Sequence, residues 1–313
     1  SVFALVASGG LGVSNKPARA VVDNQSVALE AGGTVVIDDA DTFVIDNTND
    51  GESAALTSTT IISFTSSGEA VDSLTITGNG ADAQDTADTG AFLSISVADN
   101  QGTNTLTLND NGTTDTLTLV VTGNISDSGT AAANDLEIVV NATATDDGGD
   151  STLILNGATL NLAAGGGITL NSDADDIATL QFNGGAAQTL TGDIKAAADG
   201  EGVVIVSQDL TANDDIGVDT TGLASIQIAS GKTLLQKGLI ASDNLEFDVV
   251  GNIDADGAGG TGGTLTIEGG DGSGGTGGDD ITIATITGNT FLTALNFTGG
   301  DGAALASGAG GAG

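Results

Sequence analysis

The chain's strongest constraint is a rhythm of short apolar alternations cut by turns. It is clearest in the stretch 151–208, STLILNGATLNLAAGGGITLNSDADDIATLQFNGGAAQTLTGDIKAAADGEGVVIVSQ. Leu153 and Leu155, Leu160 and Leu162, Ile168 and Leu170, and Leu180 and Phe182 pair at i, i+2. A strand places i and i+2 on one face, so each pair offers two inward side chains. Asn156, Asn171 and Asn183 follow such pairs and suit the left-handed backbone of a tight turn. No segment carries helical spacing with caps.

The same rhythm continues through LTIT (74–77), LSIS (93–96), LTLN (106–109), LTLV (117–120) and LEIV (136–139). After the central stretch come VVIV (203–206), IQIA (226–229), LEFD (245–248), LTIE (265–268) and ITIA (281–284). The starts fall roughly 10 to 22 residues apart, which reads as one solenoid coil of variable length. Gly-Asn/Asp-Ile recurs at 123–125, 192–194 and 251–253, with Gly288-Asn289 as a partial copy. These read as equivalent turns entering equivalent strands. Gly-rich tracts at 255–263 and 269–280 read as long loops on one side of the repeat.

What fills the interior narrows the fold further. The 313 residues include 50 Gly and 8 Phe but no Trp, Tyr, Cys, Met or His. A core of Leu, Ile, Val, Ala and Thr suits thin stacked layers, whereas Greek-key sandwiches, the competing architecture, use aromatic anchors. Glycine lacks the three-residue period of collagen, and a mean hydropathy of +0.18 excludes wholesale disorder. The expected fold is all-β, a right-handed parallel β-helix, whose coils satisfy their backbone groups by pairing with the coils on either side. Leu153, Leu155, Leu160, Leu162, Leu170, Leu180, Phe182 and Ile205 are expected to share its interior.

Three segments are expected. SVFALVASGGLGV is apolar and uncharged, and Ala18-Arg19-Ala20 matches a small-x-small cleavage site. Residues 1–20 therefore read as the end of a secretory signal peptide, the alternative being a buried first strand. Residues 21–300 form a single β-helix domain. Residues 301–313 are a Gly/Ala-rich tail or truncation point.

Charge limits the partners. The net charge is −37, with only Lys16, Arg19, Lys195, Lys232 and Lys237 as bases. Nucleic acid and anionic membranes call for clustered Lys and Arg, so neither is an expected partner. Without His, Cys or Tyr there is no Ser-His-Asp triad, thiol nucleophile or His-bound metal. Asp88-Thr89-Gly90 and Asp127-Ser128-Gly129 match aspartic-protease triplets but read as turns. Lys195, Lys232 and Lys237 lack an acidic cluster nearby in sequence, so a polysaccharide-degrading β-helix enzyme is a minor alternative with no nominated residues. The Gly257-x-Gly259-x-x-Gly262 match precedes a strand, not the helix a dinucleotide site needs, and Gly231-Lys232-Thr233 lacks the first glycine of a phosphate loop. No catalytic residue and no cofactor is assigned.

Calcium is the one ligand suggested by residue type. Asn171-x-Asp173-x-Asp175 and Asn252-x-Asp254-x-Asp256 alternate oxygen donors suited to a hard cation. Residues 274–282, with Asp279, fit one calcium β-roll nonapeptide. Asp173, Asp175, Asp254, Asp256 and Asp279 are thus the candidate metal residues, and a calcium-binding surface-layer or RTX-like β-roll protein is the alternative class.

Three segments carry a family likeness: TLQFNGGAAQTLTGDI (179–194), TLTLVVTGNI (116–125) and TITGNTFLTALNFTGGDGAAL (285–305). Over residues 74–305 the chain resembles the passenger region of bacterial autotransporter adhesins, of the rickettsial-type outer-membrane surface proteins. The resemblance implies an exported, cell-surface structural or adhesive β-helix. It further implies a downstream outer-membrane β-barrel beyond this sequence, and partners among host or neighbouring cell-surface components. Contact is expected through the long turns 141–150, 255–263 and 269–280.

Overall fold

The computed structural model describes residues 33–37, 40–45, 58–64, 71–78, 87–98, 103–109, 116–128, 135–142, 149–163, 165–173, 175–217, 222–229 and 231–237, and six later segments: 245–247, 249–254, 264–268, 281–283, 287–290 and 294–298. Among them are strands and turns and no helix.

In chain order the strands are β1 (Gly33–Ile37), β2 (Ala40–Ile45), β3 (Thr60–Phe64), β4 (Val71–Gly78), β5 (Ala87–Phe92), β6 (Ser94–Val97), β7 (Thr103–Asn109), β8 (Thr116–Val121) and β9 (Ile125–Asp127). There follow β10 (Leu136–Ala142), β11 (Ser151–Leu155), β12 (Thr159–Asn161), β13 (Gly167–Ser172), β14 (Ala178–Phe182), β15 (Gln188–Thr191), β16 (Asp193–Ala196), β17 (Glu201–Val206) and β18 (Leu210–Ala212). The last are β19 (Leu223–Ile228), β20 (Thr233–Lys237), β21 (Leu245–Phe247), β22 (Val249–Asp254), β23 (Thr264–Glu268), β24 (Ile281–Ile283), β25 (Thr287–Thr290) and β26 (Ala294–Thr298).

Successive strands go to different sheets. A ten-stranded sheet runs β1-β3-β6-β9-β12-β15-β18-β20-β23-β26, a six-stranded sheet β2-β4-β7-β10-β13-β16, and an eight-stranded sheet β5-β8-β11-β14-β17-β19-β22-β25. β21 and β24 pair separately, and an Ile194–Ile216 bridge extends the six-stranded sheet. Strand pairing is parallel throughout, for example Ile138 with Leu106 and Ile168. This is a parallel β-helix with three strands to a coil.

The apolar alternation explains the layering. Leu74, Leu106, Ile138, Ile168, Ile194 and Ile216 stack in register, each at 1% exposure or less. Ile62, Ile95, Ile125, Leu160 and Leu190 do the same in the ten-stranded sheet. The buried side chains form one continuous apolar cluster. Each coil adds only a few of them, so a coil is stable through its neighbours rather than alone.

Several sequence expectations are corrected here. Leu153, Leu155, Leu160, Leu162, Leu170, Leu180 and Phe182 are buried, but Ile205 points outward while Val204 and Val206 point in. All four residues of VVIV are apolar, so alternation alone sets no phase. The register of Leu180 on Val204 sets it. The spacing of roughly 10 to 22 residues is the step between strands of different sheets. In-register partners on neighbouring coils are 22 to 36 residues apart, from Gln188 with Leu210 to Leu245 with Ile281, which is the length of a coil.

Nor are the Gly-Asn/Asp-Ile marks equivalent. Gly123-Asn124-Ile125 leads into β9 of the ten-stranded sheet, Gly192-Asp193-Ile194 into β16 of the six-stranded sheet, and 251–253 lies inside β22 of the eight-stranded sheet. The Gly-rich tracts 255–263 and 269–280 lie outside the described residues. The left-handed non-glycine residue among the described residues is Ala163, φ 64°, not Asn156, Asn171 or Asn183. Asn171 lies within β13. Residues 1–20 and 301–313 lie outside the described residues.

Candidate functional site

Charge gathers on the outer face of the six-stranded sheet. Glu137 of β10 pairs with Gly167 of β13, which pairs with Asp193 of β16. Two residues along, Val139, Thr169 and Lys195 form the next outward row. Gly167 leaves a gap in the first row: a Cβ there would lie 3.0 Å from the Asp193 carbonyl oxygen. Lys195 Nζ comes within 3.8 Å of Glu137 Oε1, the two side chains being 33% and 29% exposed. Burial pushes the Glu137 carboxyl above its ordinary value of 4.5; Lys195 pulls it back, and Asp193 and Asp135 push it up again.

Lysine beside a carboxyl with raised affinity for protons is acid–base material. Its neighbours, however, are engaged in structure. Asp135 Oδ2 accepts a 2.8 Å hydrogen bond from Gly165 N, and Asp193 Oδ1 accepts one of 3.4 Å from Asp215 N. At this exposure the ion pair contributes about 1 kcal/mol or less. Sequence reading missed the cluster because Glu137 and Lys195 lie in different coils. Aligning EIVV (137–140), GITL (167–170) and DIKA (193–196) as one repeating strand would have found it.

The turn carboxylates have a consistent use. Asp150 accepts from Ile177 N at 2.8 Å, Asp209 from Thr233 N at 2.9 Å, Asp214 from Gly192 N at 2.7 Å and Asp199 from Gly222 N at 3.3 Å. Each carboxylate clamps a turn N–H of an adjacent coil. Buried Asp127 accepts from Leu136 N at 3.0 Å. An N–H that no strand can satisfy needs such an acceptor, which gives these described carboxylates a structural role.

The candidate calcium residues fall into this pattern where they are described. Asp173 Oδ1 accepts from both Asp175 N and Asp176 N at 3.0 Å, the geometry of an Asx turn. Asn171 belongs elsewhere, in a side-chain ladder: Asn171 Nδ2 donates to Asn141 Oδ1 at 2.6 Å, and Asn141 Nδ2 to Asn109 Oδ1 at 2.5 Å. Among the described residues no three acidic side chains converge on a metal position. Asp254 ends β22 with its side chain outside the described residues, and Asp256 and Asp279 lie outside them altogether.

The protease-like triplets are also apart. Asp88 lies within β5 of the eight-stranded sheet, not in a turn, and Asp127 ends β9 of the ten-stranded sheet. Compared with known proteins, the chain matches no family model, no curated protein and no solved structure.

Proposed function

We propose that the chain is an exported structural or adhesive rod, the β-helix passenger of an autotransporter, held at a bacterial cell surface. One observation carries this reading: the outer faces repeat short, mostly uncharged side chains in register, coil after coil. On the ten-stranded sheet Ser63, Ser96, Ser126, Asn161 and Thr191 form such a row. A rod of this kind presents one weak contact many times, and multivalency turns weak contacts into firm attachment. Among the described residues, Asp150, Asp199, Asp209 and Asp214 sit between the strands, where they close the coils, and the chain's negative charge keeps rods apart by repulsion. The apolar start and the likeness over residues 74–305 support export. The partners are host or neighbouring cell-surface components.

The test is to express the chain with its native flanking sequence in a Gram-negative host and treat intact cells with protease. The proposal expects surface-exposed chain and greater attachment to other cells than vector-only cells show. Chain that stays protected inside the cell would end the export reading. Surface chain without gain in attachment would leave a structural coat and remove adhesion.

A further inference from the structure

Two successive corners leave the eight-stranded sheet for the ten-stranded sheet on the same dipeptide. Asn156-Gly157 follows β11 and Asn183-Gly184 follows β14, and these are the Asn-Gly pairs among the described residues. The corners stack. Asn156 N donates to Val121 O at 2.9 Å, and Asn183 N to Leu155 O at 3.0 Å. A Cβ on Gly184 would lie 2.8 Å from Asn156 O, so the second dipeptide sits against the first.

Their polar groups are nonetheless treated differently. Gly184 N donates to Oε1 of the buried Gln188 at 3.0 Å. Gln188 stands just before Thr189, whose partner is Thr159, so its counterpart in the preceding coil is Ala158. Alanine offers no side-chain acceptor. Gly157 N donates to no described residue, and Asn156 Oδ1 is buried without a hydrogen-bond partner. Gln188 Nε2 does reach the earlier corner, at 2.9 Å, but it binds Gly157 O and leaves the N–H alone. Buried backbone N–H groups are rarely left without a partner.

These two groups are the reacting pair of asparagine cyclisation. The glycine nitrogen loses its proton and attacks the asparagine Cγ. The new N–Cγ bond closes a succinimide ring, and the side-chain nitrogen leaves as ammonia, taking up the proton. Water then opens the ring at either carbonyl, which gives aspartate or isoaspartate. Glycine favours the attack because no Cβ shields its nitrogen. A hydrogen bond from that N–H opposes it, because the bond must break before the nitrogen can react. Asn183-Gly184 has such a bond and Asn156-Gly157 has none. Ala158 and Thr159, next along the chain, are exposed, so water reaches the corner.

We propose that Asn156 is a site of spontaneous succinimide formation in the folded chain, converting to isoaspartate and aspartate, and that Gln188 protects Asn183 from the same reaction. Isoaspartate adds a carbon to the main chain between β11 and β12, and either product places a new carboxylate at the corner. The proposal rests on the corner hydrogen bonds and stands apart from the proposed export route.

The experiment is to incubate the purified, folded chain at mildly alkaline pH in heavy-oxygen water. Peptic peptides are then mapped by mass spectrometry, and isoaspartyl methyltransferase labelling identifies isoaspartate. Heavy oxygen should enter at Asn156 several-fold faster than at Asn183. In urea the two sites should convert at similar rates, since both are then open Asn-Gly pairs. Gln188→Met removes the acceptor and keeps the bulk; with circular dichroism unchanged, it should raise the Asn183 rate toward that of Asn156. A folded Gln188→Met chain in which Asn183 stays slow would overturn the protective role of Gln188. Asn156 that converts no faster than Asn183 in the unaltered folded chain would overturn the proposal whatever the variant does. So would a difference that persists in urea, because the cause would then lie in the local sequence and not in the corner.

Discussion

Leu170 and Ile205 mark what could and could not be read residue by residue. Leu170 sits in a clean alternation, Ile168-Thr169-Leu170, so its inward direction was legible. Ile205 lies in an unbroken apolar run, and only the neighbouring strand settles its direction. Leu170→Asp buries an unpaired charge and should cost several kcal/mol, about 3 or more. Ile205→Asp places the charge outside and should cost far less; chemical denaturation of both variants checks the difference. If Ile205→Asp proves as damaging as Leu170→Asp, the phase of β17 is wrong. Glu137 adds a pH test. Its folded-state pKa is raised above 4.5 by burial, so its contribution to stability is present below 4.5 and is lost as pH rises through the raised value. Glu137→Gln removes that loss and the smaller attraction to Lys195. At neutral pH the variant should melt at or above the temperature of the unaltered chain, and the difference should shrink as pH falls below 4.5. A variant clearly less stable at neutral pH would make the Lys195 contact the dominant effect.

At the scale of elements, strands were legible and their grouping into coils was not. Local alternation reports one strand at a time, whereas sheet membership depends on partners 22 to 36 residues away. The Gly-Asn/Asp-Ile marks misled for this reason: the same tripeptide serves three different sheets. The acidic site was illegible on the same ground, since Glu137, Asp193 and Lys195 meet only after three coils have stacked. Corners are held by groups with specific partners. Buried Gln188 accepts from Gly184 N at 3.0 Å and donates to Leu155 O at 2.8 Å and Gly157 O at 2.9 Å. Gly157 lies where the preceding coil's backbone passes: a Cβ there would fall 2.2 Å from Gly123 O. Gly157→Ala should therefore destabilise by about 1–3 kcal/mol. Gly185→Ala meets nothing within 4 Å and should be neutral or stabilise by a few tenths of a kcal/mol, as unfolded-state freedom is reduced. Thermal melts of the pair separate crowding at a corner from general glycine replacement.

In the molecule as a whole, each coil is a nearly interchangeable layer. Ile125 pairs with Leu160 and Leu160 with Leu190. Deleting 160–189 should bring Leu190 onto Ile125 and Ile194 onto Ile138, giving a shorter rod that still folds cooperatively. Deleting β12 with one residue on either side, 158–162, would throw later strands out of register and should yield aggregated or unfolded chain. The central claim is the parallel, in-register stacking of coils, and the chain's lack of cysteine allows it to be measured directly. Thr159 and Thr189 are exposed partners on neighbouring coils, about 4.8 Å apart, which lies within disulfide reach. Thr159 and Thr211 are two coils apart, about 9.6 Å, which lies beyond it. Oxidation of the folded Thr159→Cys/Thr189→Cys chain should give an intramolecular disulfide, seen as a loss of free thiol and a mobility shift. The Thr159→Cys/Thr211→Cys chain should remain reduced within the monomer. Failure of the first pair to close, or closure of the second at a comparable rate, would contradict the stacking described here.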